Sequence, residues 1–255
     1  MLAPERRKKI LEVVTRNKSA LVKDLCVLFD VTGETIRKDL TVLEDEGKLY
    51  KTHGGAYVRE GVNNQIHASI RQTIFTQAKA SIGKACAGLV QAGETILLDE
   101  STTSLAIAQQ LRGVSPLTVI TNSFKIVSTL LDAEGVRVIL CGGELDPKNQ
   151  SFVGENTSRM LQNYYADKAF VSCRGAGMAT GITDGSESSG QIRRQMLQHA
   201  VKSYLVLDAS KLDLVNFYKI CDFDCIHAMV VDALPSVQWR QFLQERRIEV
   251  IETMV

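Results

Sequence analysis

Polar side chains in this 255-residue sequence gather where apolar runs give way to turns. The run 95–99 closes on Asp99 and continues as Glu100, Ser101, Thr102, Thr103 and Ser104, and the run 117–121 passes into Thr121, Asn122 and Ser123. A third run, 136–141, opens into Gly142, Gly143 and Glu144, and a later one stops at Asp208, Ala209, Ser210 and Lys211. Hydroxyls and unpaired N–H groups at the start of a helix make an anion site, and phosphate is the natural anion. Paired glycines let backbone approach a bound group, and Lys211 offers a cation to a phosphate or a sugar oxygen. Arg174 adds a guanidinium that would grip a second acidic group on a ligand or compensate Glu100. The expected ligand pocket therefore comprises Asp99, Ser101, Thr102, Thr103, Thr121, Asn122, Ser123, Gly142, Gly143, Arg174 and Lys211. Asp184, Glu187 and Arg193 are outlying candidates.

A second chemistry is carried by Val31 to Leu40, VTGETIRKDL. At about 100° per residue Ile36, Leu40 and Leu43 form one stripe, with Glu34, Lys38 and Thr41 opposite and Thr35 and Arg37 flanking. Thr32 is a good N-cap, so the first helical turn faces outward, as in the second helix of a helix-turn-helix reading double-stranded DNA. Arg37 is expected on a base or a phosphate, Glu34 and Thr35 on base edges, and Lys38 and Thr41 on phosphates. Lys38 lacks the bidentate fork of arginine, which favours a phosphate over a guanine. His53, beside Gly54 and Gly55, is placed at a phosphate or in packing.

The elements needed to position these groups follow from periodicity. Helices are predicted at 4–16, burying Ile10, Leu11 and Val14, and at 22–29, burying Val22, Leu25, Leu28 and Phe29. Arg6 to Lys9 lie on the first of them, where one or two charges would add salt-dependent DNA affinity. Leu21 fills the N-cap of the second, at a cost of about 1 kcal/mol. The segment 48–58 alternates as a two-stranded wing around His53-Gly54-Gly55, and 59–75 turns polar and aperiodic, as a linker does. Beyond it, apolar runs at 95–99, 117–121, 136–141, 168–173, 203–208 and 227–232 alternate with helices at about 77–90, 103–111, 123–133, 155–164, 189–200 and 236–246. This argues for an α/β domain with a parallel sheet covered on both faces, whose ligands bind outside the carboxyl ends of the strands. The domains are thus 1–58, a DNA-binding head; 59–75, a linker; and 76–255, a ligand-sensing body.

Charge agrees: residues 1–59 carry 12 basic against 9 acidic side chains, and the remainder 18 against 20. No apolar run of about 18 residues is present and the N-terminus lacks an apolar signal core, so a cytoplasmic protein with no membrane partner is expected. The six cysteines lie in or beside apolar runs without C-x-x-C spacing and read as reduced core thiols. Cys221, Cys225 and His227 lack a second ligand pair at zinc spacing, so neither metal nor cofactor is expected.

The run Leu21 to Ala56 resembles the N-terminal module of the DeoR-type bacterial transcriptional regulators, whose pattern is close to V-S-x-x-T-I-R-R-D-L followed by H-G-G-A. The body resembles their effector domain at Asp99 to Thr103, Thr121 to Ser123, Gly142 to Glu144, Asp167 to Phe170 and Asp208 to Lys211. The resemblance implies a winged helix-turn-helix joined to a Rossmann-like α/β domain akin to ribose-5-phosphate isomerase, sensing a phosphorylated sugar. Lys38 stands where a second Arg is usual, Gly33 weakens the helix start by about 0.5–1 kcal/mol, and Glu100 adds negative charge beside the expected phosphate.

Two functions compete. One is a repressor of a carbohydrate-utilisation operon, controlled by a phosphorylated sugar effector and working as a homo-oligomer, dimer or tetramer, because one short helix reads few bases. The other is a sugar-phosphate isomerase or deaminase-like enzyme with a fused DNA-binding domain, using Asp99, Asp208 and Lys211 as acid and base. The helix-turn-helix favours the regulator, with no catalytic residue.

Overall fold

In the computed structural model, which describes residues 1–52, 54–58 and 66–253, the chain divides into two units, Met1–Phe75 and Thr76–Val255. The first begins with α1 (Ala3–Asn17), whose Pro4 sits in the first turn, where a missing N–H costs nothing. There follow β1 (Ser19–Leu21), α2 (Val22–Phe29), α3 (Gly33–Asp45), β2 (Tyr50–Thr52) and β3 (Gly55–Tyr57), the strands pairing antiparallel in the order β1-β3-β2. This is a winged helix-turn-helix. Ile10, Val14, Leu25, Ile36, Leu40 and Leu43 close its core, each worth about 1.5–3 kcal/mol of apolar burial.

On α2 the apolar stripe differs from expectation. Val22 and Leu25 are buried with Cys26 and Phe29 packed beside them, which completes the i, i+3, i+4, i+7 set, and Leu28 falls off that stripe and stands 59% exposed. Leu21 provides no side-chain cap, but the Val22 N–H donates to the Gly54 carbonyl at 2.9 Å, so the wing satisfies what the sequence leaves open. α3 ends at Gly47 in the left-handed region, with the Lys48 N–H on the Leu43 carbonyl at 3.0 Å. After the undescribed residues 59–65, Ile66 and Ile70 pack on Leu21 and Tyr57, and α4 (Ala68–Arg71) is held by the His67 N–H on Ser19 Oγ at 2.9 Å.

The second unit contains α5 (Thr76–Gly88), β4 (Thr95–Leu98), α6 (Thr102–Gln110), β5 (Leu117–Thr121), α7 (Phe124–Leu130), β6 (Val136–Leu140), β7 (Glu144–Asp146), β8 (Ser151–Val153) and α8 (Glu155–Leu161). It continues with β9 (Ala166–Val171), β10 (Gly175–Gly177), β11 (Gly181–Asp184), α9 (Glu187–Gln198), β12 (Ala200–Leu207), β13 (Tyr218–Cys221), β14 (Ala228–Val231), α10 (Val237–Glu245) and β15 (Glu249–Glu252). Seven strands form a parallel sheet in the order β15-β14-β12-β9-β4-β5-β6. β4 explains the unbroken apolar runs: Leu97 enters a core shared with α9 and α10, while Ile96 and Leu98 enter one shared with α5, α6 and α7. The hairpin β7–β8 and the antiparallel sheet β10-β11-β13 lie outside this sheet. Cys221 and Cys225 are joined in a disulfide, against the expectation of reduced thiols, because the turn 223–225 after β13 folds Cys225 back toward the strand end. Cys26, Cys86, Cys141 and Cys173 are free thiols.

Candidate functional site

On the first unit, Thr32 caps α3 by accepting the Thr35 N–H at 3.4 Å, and Glu34, Arg37 and Lys38 are exposed on the outward face. Glu34 and Lys38 pair at 2.9 Å, a solvated contact of small energy that leaves both within reach of a duplex. The Thr41 hydroxyl donates to the Arg37 carbonyl at 2.9 Å and accepts from Lys51 Nζ at 2.7 Å. Lys51, on β2, therefore brings a cation to the position expected of Thr41; a single lysine in a short strand carried no signal. A Cβ at Gly33 would stand 3.2 Å from an Arg37 Nη, so the glycine that costs helix propensity gives the guanidinium room. A cleft of about 470 Å³ opens beside Arg37, with Lys23, Gly54 and Ser69 on its walls. Arg6 is not on this surface: it turns inward and pairs with buried Asp39. His53 lies outside the described residues.

On the second unit the chain turns back across the sheet between β4 and β9, the switch point where ligands of open α/β sheets bind. Asp99 ends β4 there, fully buried, with its carboxylate accepting from the Ser101 N–H at 3.2 Å, from the Ser104 hydroxyl, and from the Ser172 N–H at the end of β9 at 3.2 Å. Arg193, on α9, donates Nε to Asp99 at 2.6 Å, places Nη2 3.0 Å from Glu100 and pairs with Asp184 at the end of β11. Burial alone would raise the Asp99 pKa, but the Arg193 charge and the hydroxyl bonds hold it below the ordinary carboxylate value. Glu100 goes the other way: burial raises it and the neighbouring Asp99 and Asp184 add to that, with Arg193 only partly opposing. Arg193 itself is driven upward because three carboxylates outweigh its desolvation.

Around this cluster Ser101 caps α6 by accepting the Ser104 N–H at 2.9 Å, leaving Thr102 and Thr103 to open the helix toward the strand ends. Ser123 caps α7, and the Ser123 N–H donates to Thr121 Oγ1 at 3.1 Å. Asn122 Nδ2 donates to the Phe152 carbonyl at 2.9 Å and to Glu100 at 3.4 Å. Lys211 Nζ reaches Ser172 Oγ at 2.9 Å and Asp208 at 3.6 Å, and Asp208 is lowered by Lys211 and Ser210 despite burial.

The structure thus brings Asp99, Ser101, Asn122 and Lys211 into one connected polar set, with Thr102 and Thr103 on its helix and Thr121 and Ser123 flanking Asn122 in the chain. Arg193 and Asp184, read from sequence only as outlying candidates, are its centre. Glu187 is exposed and accepts from Gln191 at 3.1 Å. Arg174 bonds Asn149 Oδ1 at 3.3 Å and feels the Glu100 charge, while the guanidinium in contact with Glu100 is Arg193. The two glycines divide: Gly142 has open space where a Cβ would be, whereas a Cβ at Gly143 would press into Thr157 Oγ1 at 2.2 Å and the Val153 carbonyl at 2.7 Å. The sequence places Ser104 in the turn but not in the expected pocket, and Ser172 goes unread, since a serine at a strand end is ordinary; both donate to Asp99. Among the described residues no helix is long and apolar enough to cross a membrane, and no cluster of His, Cys, Asp and Glu is arranged to hold a metal.

The DeoR-like helix-turn-helix domain matches residues 6–61 and the DeoR C-terminal sensor domain matches residues 74–233. The chain is 34% identical over 250 residues to the HTH-type transcriptional regulator YulB of Bacillus subtilis (strain 168), covering 98% of this chain and 96% of that one. It is 32% identical to the HTH-type transcriptional repressor GlcR of the same organism, over 99% and 97% of the two chains. It is 29% identical to the lactose phosphotransferase system repressor of Staphylococcus epidermidis, over 89% and 91%. Among solved structures, the chain is similar to ribose 5-phosphate isomerase A of Methanocaldococcus jannaschii at 17% identity and a TM-score of 0.40 over 54% of each chain. The matched domains are a DNA-binding module and a sensor, and these relatives over the full chain carry the names of regulators and repressors rather than of enzymes. With a capped, outward-facing helix on the first unit and a polar sheet edge on the second, the chain belongs to the DeoR family of transcriptional regulators.

Proposed function

We propose that this regulator represses a carbohydrate-utilisation operon and that a phosphorylated sugar, bound in the second unit, controls its affinity for operator DNA. The observation that carries the reading is the set of buried hydroxyl, amide and charged groups at the switch point of a sheet whose chain also carries a recognition helix. The phosphate is assigned to the first turn of α6 at Thr102, together with Lys211 and the Ser172 hydroxyl that Lys211 contacts. The names of GlcR and of the lactose phosphotransferase system repressor support repression and a carbohydrate signal. Arg37, Glu34 and Thr35 read bases, Lys38, Lys51 and His53 hold phosphates, and the chain acts as a homo-oligomer because paired half-sites supply the bases one helix cannot read. The division into residues 1–58, a linker at 59–75 and a sensing body at 76–255 is part of this reading.

The test has two arms. Melting of the full chain is followed with phosphorylated sugars and with the same sugars unphosphorylated, and only the first set should raise the transition temperature. Binding to its own promoter fragment is then compared with binding to random duplex, with and without the stabilising sugar. A response to both sets alike, or no preference for the promoter, would overturn the proposal.

A further inference from the structure

We infer that the effector is a phosphorylated amino sugar, its ammonium group bound by Glu100 and Asn122; this rests on the phosphorylated-sugar reading above. The starting point is a set of buried polar atoms without a hydrogen-bond partner. Asn122, fully buried, spends both useful directions of its Nδ2 on the Phe152 carbonyl and on Glu100, which fixes the amide orientation and leaves Oδ1 as an acceptor without a hydrogen bond. Glu100, 4% exposed, is the second: Oε2 takes the Asn122 amide, and Oε1, though 3.0 Å from Arg193 Nη2, receives no hydrogen bond. The hydroxyls of Thr103 and Ser151, both fully buried, also lack partners. These atoms come from neighbouring elements: Asn122 and Glu100 end adjacent strands, Ser151 bridges to Ser123, and Thr103 opens α6.

Burying an acceptor without a donor costs about 1–3 kcal/mol for a neutral group and more for a charged one, so a native chain keeps such a set where something else completes it. What completes Asn122 Oδ1 and Glu100 Oε1 must donate. Charge narrows the choice. Asp99, Glu100 and Asp184 are three carboxylates gathered on the single Arg193 guanidinium, and Arg174 also feels all three charges, so acidic charge exceeds basic charge among these groups. A phosphate or carboxylate is repelled at this end and belongs by Lys211. A sugar hydroxyl satisfies the acceptors but not the charge, whereas an ammonium satisfies both. Glu100 and Asn122 act here as specificity-determining residues.

The experiment is calorimetric titration of the full chain with matched pairs: glucosamine, galactosamine and mannosamine 6-phosphates, each against glucose, galactose and mannose 6-phosphate. At least one amine should bind about tenfold or more tighter than its hydroxyl parent. Glu100→Gln, which keeps shape and removes charge, should cut that ratio to within about threefold while the hydroxyl parent still binds. Hydroxyl parents binding as tightly as the amines in the unaltered protein would overturn the inference and leave the phosphorylated-sugar reading standing, and that comparison needs no variant to fold. An amine preference that survives Glu100→Gln would also overturn it. Binding by neither set would remove the phosphorylated-sugar reading and this inference together.

Discussion

Arg6 Nε stands 2.6 Å from Asp39 Oδ2, tying the first helix to the back of the recognition helix through a pair that is almost wholly buried. Removing one partner strands the other charge in an apolar core, which costs about 3–5 kcal/mol, whereas replacing both by apolar groups of similar size costs little or nothing. Asp39→Ala should therefore lower the urea midpoint of the first unit and weaken operator binding. Arg6→Met with Asp39→Leu should restore the midpoint. Equal destabilisation by the single and double variants would refute the pairing.

Base and phosphate contacts separate by their salt dependence. Arg37→Ala should cost about 1–3 kcal/mol of operator affinity and narrow the gap between operator and random duplex. Lys38→Ala and Lys51→Ala should each weaken both duplexes alike and lower the slope of log affinity against log salt by about one. Fluorescence anisotropy over a range of salt concentrations measures both quantities, and an unchanged slope for Lys51→Ala would remove the wing lysine from the interface.

Acid and base should pull the second unit in opposite directions. Glu100 has a folded pKa above its ordinary 4.5, so the folded state holds a proton the unfolded chain has released, and stability falls as pH rises through the window above 4.5. Asp99 and Asp208 have folded pKa values below their ordinary 3.8, so their contribution is present above 3.8 and is lost as pH falls below it. Trp239 is the sole tryptophan and is buried in the second unit, so its fluorescence follows that unit alone. Urea unfolding from about pH 2.5 to 8, read at Trp239, should show a decline above pH 4.5 that Glu100→Gln abolishes, while the loss below pH 3.8 remains in both.

Lys211 and Thr102 address the effector alone. Lys211→Ala should weaken effector binding about tenfold or more, the loss of one charge-assisted contact, and leave operator affinity without effector unchanged. Thr102→Ala should act in the same direction. A full response to the effector in Lys211→Ala, measured as release from labelled operator, would place the phosphate elsewhere.

Much of the fold was legible because burial imposes a period. The stripe of Ile36, Leu40 and Leu43 gave the recognition helix, and the unbroken run at 95–98 gave a strand buried on both faces. Strands of three or four residues, such as Ser19–Leu21, Gly175–Gly177 and Glu249–Glu252, are too short for alternation to register, and the order of the seven parallel strands depends on crossovers that no local pattern encodes. At the site, turns rich in Ser and Thr announced themselves by composition. Arg193 registered only as an outlying candidate, because it lies mid-helix 94 residues from Asp99 and becomes central only through folding. Arg6 misled for the converse reason: three of four consecutive basic residues face water, and sequence alone does not say which one turns inward.

Gly83 on α5 lies where a Cβ would come within 2.6 Å of the Ala106 carbonyl on α6. The two backbones touch there, and the same α6 presents Thr102 and Thr103 at its other end. A single methyl group at position 83, on a helix with no proposed part in recognition, would wedge α6 outward and retune which metabolite is sensed. Ligand preference in this receptor is thus open to drift through sites that comparison of pocket residues alone would never flag.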